Sequence, residues 1–155
     1  MEPCSIMIRS ICLPLGVNTS VFTAGTERVV VNFRGVRILL EVCYDLRFPV
    51  WARNLGDYDM ILYVASWPTP RVDAWSALLR ARAIENQCYV AGVNRMGVDP
   101  ACEYSGGSAI IDPYGKTIAE CPWSRESAVS ADIDMEHCRL SGRNFRYWMM
   151  PTPLH

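Results

Sequence analysis

From Glu27 onward, apolar and polar positions fall into runs whose period changes from element to element. "RVVVNF" (28–33) and "VRILLEV" (36–42) are β-branched runs separated by the turn dipeptide "RG", which predicts a hairpin. "FPVWARNLG" (48–56) breaks that pattern. Pro49 stands near its start and Gly56 just past its end, so a short helix is expected there. "YDMILYVAS" (58–66) reads as a buried strand. In "DAWSALLRARAIENQ" (73–87), Ala74, Leu78, Ala81 and Ile84 recur at helical spacing. This predicts a helix capped by Asp73, with Ser76 and Arg80 toward solvent. "CYVAGVNR" (88–95) is a further strand, followed by a polar loop through "GVDPACEYSGG". "SAIIDPYGKTIAECP" predicts a second hairpin around "DPYG" (112–115), whose Pro and Gly positions suit a type I turn. "SAVSADIDM" (127–135) is expected as a last strand, and the aromatic tail "RYWMMPTPLH" as a docked segment. The first 26 residues show no sustained period and read as irregular.

Strand–helix alternation followed by antiparallel pieces places the chain in the α/β class, with helices layered on a mixed sheet. Two helices are few for covering both faces of six or seven strands. A partner surface on the open face is therefore expected.

Composition narrows the function classes. At 155 residues, half of them hydrophobic, the chain reads as one globular domain. Its net charge is −1 and its Arg residues are scattered, so the footprint of a nucleic-acid binder is missing. The seven Cys are odd in number and widely spread, with no C-x-x-C pair. That pattern argues against a structural metal and against disulfides, and for a reducing compartment. No run reaches the roughly 18 apolar residues of a spanning helix. The N-terminal stretch is a poor signal peptide because Arg9 and Pro14 interrupt it. No membrane association and a cytoplasmic location are the expectation.

The most informative stretch is "EVCYDLRFPVWARN" (41–54), where Cys43 closes an apolar run just before the expected helix. A thiol at a strand-to-helix turn sits beside unpaired N–H groups, which favour thiolate and can receive an oxyanion. The arrangement is a nucleophile elbow with Cys in place of Ser. A buried, inert Cys at a strand end fits the local pattern equally well. For a base, His137 and His155 are poorly placed in the sequence. Glu41 shares a strand face with Cys43. Glu85 lies near the end of the long helix, where it could equally form an ion pair with Arg80 or Arg82.

"CYDLRFPVWARN", "ASWPTPR", "LLRARAIENQCYVAGVNR", "YSGGSAIIDPYGK" and "ADID", in that order, closely resemble the nitrilase-like carbon–nitrogen hydrolases, and within them the omega-amidase branch. The resemblance covers residues 23–155 and leaves 1–22 as a divergent lead-in. It implies an α-β-β-α sandwich, of which this chain would form a part with helices on one face of its sheet. The sandwich is usually paired across a subunit interface. It also implies amide hydrolysis through a Cys thioester with release of ammonia, on a small 2-oxo dicarboxylic acid monoamide, with no cofactor. By that likeness Cys43 is the nucleophile and the Tyr44 backbone N–H is part of the oxyanion site. Asp45 and Arg47 hold the elbow, and Trp67, Pro68 and Arg71 line the substrate pocket. Arg71 would meet a substrate carboxylate. Asn94, Arg95 and Glu85 support the surrounding structure.

The chain departs from the family pattern in one respect. Relatives of this kind pair the Cys with a Glu base and a Lys, both from the region before the Cys strand, and with a further Glu. "MIRSICLPLGVNTSVFTAG" holds no Lys or Glu, and Lys116 is the only lysine of the chain. The resemblance therefore implies the C-terminal portion of an amidase: a fragment, one half of a split enzyme, or a silent relative. Two readings stay open. One is an amidase working as a homo-oligomer or with a partner chain over the exposed sheet face. The other is a catalytically silent interaction subunit.

Overall fold

The computed structural model describes residues 27–136; the lead-in 1–22, His137 and the aromatic tail lie outside the described residues. Six strands form one mixed sheet in the order β1-β2-β3-β4-β7-β8. β1 (Val29–Phe33) and β2 (Val36–Val42) make the expected hairpin. Arg34 and Gly35 both take positive φ, 52° and 83°, the combination that matches a two-residue turn to the twist of its strands. β2, β3 (Met60–Ala65) and β4 (Tyr89–Asn94) run parallel. β7 (Ala109–Ile111) and β8 (Thr117–Glu120) close the sheet as the second antiparallel hairpin.

Helix α1 (Val72–Asn86) connects β3 to β4 and covers one sheet face. That face presents Leu39, Ile61, Tyr63, Val90 and Ile111, all essentially buried with Trp75, Leu79 and Ala83 of the helix. The close approach depends on Gly92. A Cβ there would stand 2.5 Å from a Leu79 methyl carbon and 2.8 Å from the Trp75 ring. The other face carries Val29, Val31 and Phe33 of β1 and Val93 of β4, which are 38, 38, 62 and 49 % exposed. Among the described residues, no second layer of strands or helices covers it.

Five expectations are corrected. Residues 48–56 form no helix: isolated three-residue turns follow a 3-10 turn at Cys43–Arg47. Asn54 decides this, because its side chain bonds the Tyr58 and Asn86 carbonyls and its N–H donates to Asn86 Oδ1. Those tertiary bonds outcompete a nine-residue helix whose own cooperativity is marginal. The buried stripe of α1 is Trp75, Leu79, Arg82, Ala83 and Asn86, one position round from the expected stripe, and Ile84 is 53 % exposed. Arg82 and Asn86 face inward because Leu46 O and the Asn54 N–H give them partners. The helix also starts one residue earlier than expected, with Arg71 at its N-cap and Asp73 in its first turn. The 3-10 turn Thr69–Arg71 leads straight into it.

The expected polar loop after β4 contains a small two-stranded sheet, β5 (Met96–Val98) with β6 (Glu103–Ser105). Residues 127–135 are not a strand. Their apolar and polar positions alternate, but among the described residues no strand edge pairs with them. The Asp134 backbone meets Tyr89 Oη at 3.2 and 3.3 Å, at the start of β4.

Candidate active site

The parallel strands all end on one side of the sheet, and the shared direction of β2, β3 and β4 brings three loops together there. Cys43 follows β2 directly. Its φ of +52° is left-handed, a conformation that costs a side-chain-bearing residue about 1–2 kcal/mol. Such strain is held by its surroundings. Asp45, 2 % exposed, accepts the Val42 N–H on Oδ2 at 3.0 Å and ties the end of β2 to the 3-10 turn. The Cys43 thiol is half-buried, with Sγ 3.9 Å from the Ser66 carbonyl oxygen of the loop after β3. Cys43→Gly is expected to raise unfolding stability by about 1 kcal/mol, and Cys43→Ala is not, because only glycine relieves the positive φ. Urea denaturation of the two variants reads the difference.

The remaining predicted residues fall into three groups. Tyr44, Arg47 and Trp67 stack: the Arg47 guanidinium carbon lies 5.3 Å from the Tyr44 ring centre and 5.2 Å from that of Trp67. Tyr44 and Trp67 are 6.3 Å apart and nearly parallel. Asn94, at the end of β4, clamps the Trp67 segment from below. Its Oδ1 accepts the Trp67 N–H at 2.7 Å, and its Nδ2 donates to the Trp67 and Gly106 carbonyls at 3.0 and 2.7 Å. Trp67 and Pro68 are buried, so they form the floor of this end rather than an open wall. Arg71 is exposed at the start of α1, where its carbonyl accepts the Trp67 indole N–H at 2.7 Å. Glu85 stands apart, paired with buried Arg82 at 2.9 Å, which is the ion-pair role left open by the sequence.

Glu41 was the nearest candidate base, and the structure gives it a different character. It lies on the α1 side of β2, opposite Tyr63 in register, and is 2 % exposed. Burial first, and then the neighbouring Asp45 carboxylate, push its pKa up to about 8. A carboxyl that holds its proton at neutral pH is poorly suited to take one from a thiol there. Lys116 lies in the β7–β8 turn, beyond Ile111, which pairs with Val90 at the start of β4. It is thus at the opposite end of the sheet from Cys43. Among the described residues, no group of three or more His, Cys, Asp or Glu side chains is arranged to hold a metal ion. No helix there is long and apolar enough to cross a membrane.

Cys43 thus stands at the end of β2 in left-handed geometry, against the loop that follows β3. The carbon-nitrogen hydrolase family model matches residues 11–143. The chain belongs to this family. The carbon-nitrogen hydrolases most similar to it include omega-amidase YafV of Escherichia coli K12. That protein is 52 % identical over 128 residues, which are 82 % of this chain and 50 % of the relative. The 2-oxoglutaramate amidase of Bacillus subtilis is 43 % identical over 116 residues, 74 % of this chain and 44 % of that one. Among solved structures, XC1258 of Xanthomonas campestris superposes with a TM-score of 0.84 at 40 % identity, over 90 % of this chain and 56 % of that one. It is described as a CN-hydrolase superfamily protein with an arsenic adduct in the active site. The chain spans about half the length of the curated carbon-nitrogen hydrolases it matches.

Proposed function

We propose that this carbon-nitrogen hydrolase is an omega-amidase-type enzyme that hydrolyses the terminal amide of a small 2-oxo dicarboxylic acid monoamide. The left-handed elbow at Cys43 carries the reading; the names of the omega-amidase and 2-oxoglutaramate amidase relatives supply the substrate class. Cys43 Sγ attacks the amide carbon, and the carbonyl oxygen gains the negative charge beside the Tyr44 N–H. Collapse expels the nitrogen, which leaves protonated as ammonia and yields a thioester on Cys43. Water then attacks the thioester and frees the acid and the thiol. Arg71, exposed beside this end, would take the substrate carboxylate in a bidentate contact. Residues 23–155 act here as the C-terminal portion of a sandwich.

The reaction also needs a base and an oxyanion cation, which come from outside the described residues. A partner chain over the open sheet face would supply them, and either it or a second copy would bury Val29, Val31 and Phe33. Glu41 is held protonated and Lys116 lies at the far end of the sheet, which favours one rival, a silent interaction subunit using the same face.

The pH dependence of Cys43 alkylation, followed by peptide mass spectrometry with half-buried Cys102 as reference, separates the two. Faster alkylation of Cys43 than of Cys102 is expected for the hydrolase, with ammonia release from 2-oxoglutaramate that Cys43→Ser abolishes. A profile that tracks Cys102 sinks the hydrolase reading and leaves the interaction subunit.

A further inference from the structure

Glu41 has no step in that reaction, yet the fold encloses it completely, two residues before the elbow. Neither of its carboxyl oxygens accepts a hydrogen bond from any N–H or hydroxyl among the described residues. An ionised carboxylate in that position would forfeit its hydration with nothing in exchange. Its near neighbour is the carboxyl of Asp45, itself 2 % exposed and already engaged with the Val42 N–H.

We propose that Glu41 is the positioning residue of the elbow: as a neutral acid its O–H donates a hydrogen bond to the Asp45 carboxylate, and Asp45 so held keeps the Val42 N–H and the left-handed Cys43 in place. The geometry stands without any assumption about the reaction; its consequence for catalysis rests on the nucleophile reading of Cys43.

Two buried carboxyls in contact cannot both ionise cheaply, so they hold one proton between them and titrate as a pair. Every charged or titratable neighbour bears on which way the balance falls. Asp45, from the 3-10 turn, opposes ionisation of Glu41. Arg28, ahead of β1, favours it, but its guanidinium is 3.1 Å from Asp57 and shared with that carboxylate. Tyr63, facing Glu41 from β3, is a buried phenol held neutral, with its own pKa pushed upward by burial and by Glu41. Arg82 of α1 is committed to Glu85 and to the Leu46 carbonyl, at 2.9 and 2.6 Å. The net result keeps the proton on Glu41 up to about pH 8. Above that pH a second negative charge appears beside Asp45. Repulsion pulls Asp45 away from Val42, and the added charge next to the elbow also disfavours thiolate at Cys43.

The test compares the unchanged chain with Glu41→Gln, which keeps a donor but cannot ionise, and Glu41→Met, which has neither property at similar length. The readouts are the Val42 amide signal and its hydrogen exchange by NMR from pH 6 to 9, with Cys43 alkylation measured beside them. In the unchanged chain the Val42 signal is expected to titrate near pH 8 and its protection to fall about tenfold, the equivalent of one ordinary hydrogen bond. In Glu41→Gln the signal stays flat and protected throughout; in Glu41→Met protection is already about tenfold lower at pH 6. A Val42 signal that does not titrate in the unchanged chain, or one that titrates equally in Glu41→Gln, overturns the proposal. The Gln comparison decides the matter even if Glu41→Met does not fold. Should Val42 respond as expected while Cys43 alkylates no faster than Cys102, Glu41 still positions the elbow and it is the nucleophile reading that falls.

Discussion

Replacing Asn94 with alanine is expected to destabilise the fold by about 3 kcal/mol, measured as the shift of the urea midpoint. Asn94 is 6 % exposed, and its side chain satisfies three backbone groups at once: the Trp67 N–H, the Trp67 carbonyl and the Gly106 carbonyl. Alanine leaves all three buried without a partner, and each such orphan costs about 1–3 kcal/mol, with incomplete additivity. Asn94→Asp makes the argument sharper. The carboxylate can still accept from the Trp67 N–H, but its other oxygen then faces two carbonyl oxygens. This variant is expected to be less stable than Asn94→Ala at neutral pH and to recover when acid protonates it. Cys43 alkylation should lose its selectivity in both, because Asn94 is what joins the Trp67 loop to the strand end.

Trp75→Ala is expected to cost more, about 3–5 kcal/mol, the usual range for emptying a buried aromatic site. The Trp75 ring is fully buried, packs 5.5 Å from Trp67 and lies over Gly92. Its indole N–H donates to the Gly107 carbonyl at 2.8 Å, so the cavity would contain an orphaned acceptor as well. Near-ultraviolet circular dichroism and the urea midpoint together read the loss. A midpoint shift worth less than about 1 kcal/mol would mean that the helix relaxes into the space and that Trp75 is not what seats α1 on the sheet.

These two residues show why some of the molecule was legible before folding and some was not. Trp75 stood inside a helix that its spacing announced, but the stripe read from that spacing was displaced by one position. Polar Arg82 and Asn86 turn inward because they meet Leu46 and Asn54, contacts that no local period encodes. Asn94 looked like an ordinary strand end. Only the loops arriving from residues 67 and 106 make it the fastener of the site.

The α/β class with a mixed sheet, both hairpins, the buried strands on either side of the long helix, and Cys43 at the end of a strand were all legible in the sequence. These features rest on period, on turn chemistry and on short-range punctuation, which act over a few residues. Tertiary structure decided the rest. It turned residues 48–56 into loop through the bonds of Asn54, left 127–135 without a strand partner, and buried Glu41 against Asp45. Each of these depends on which distant groups share one dry space, where hydrogen bonds and charges are strong because water is excluded.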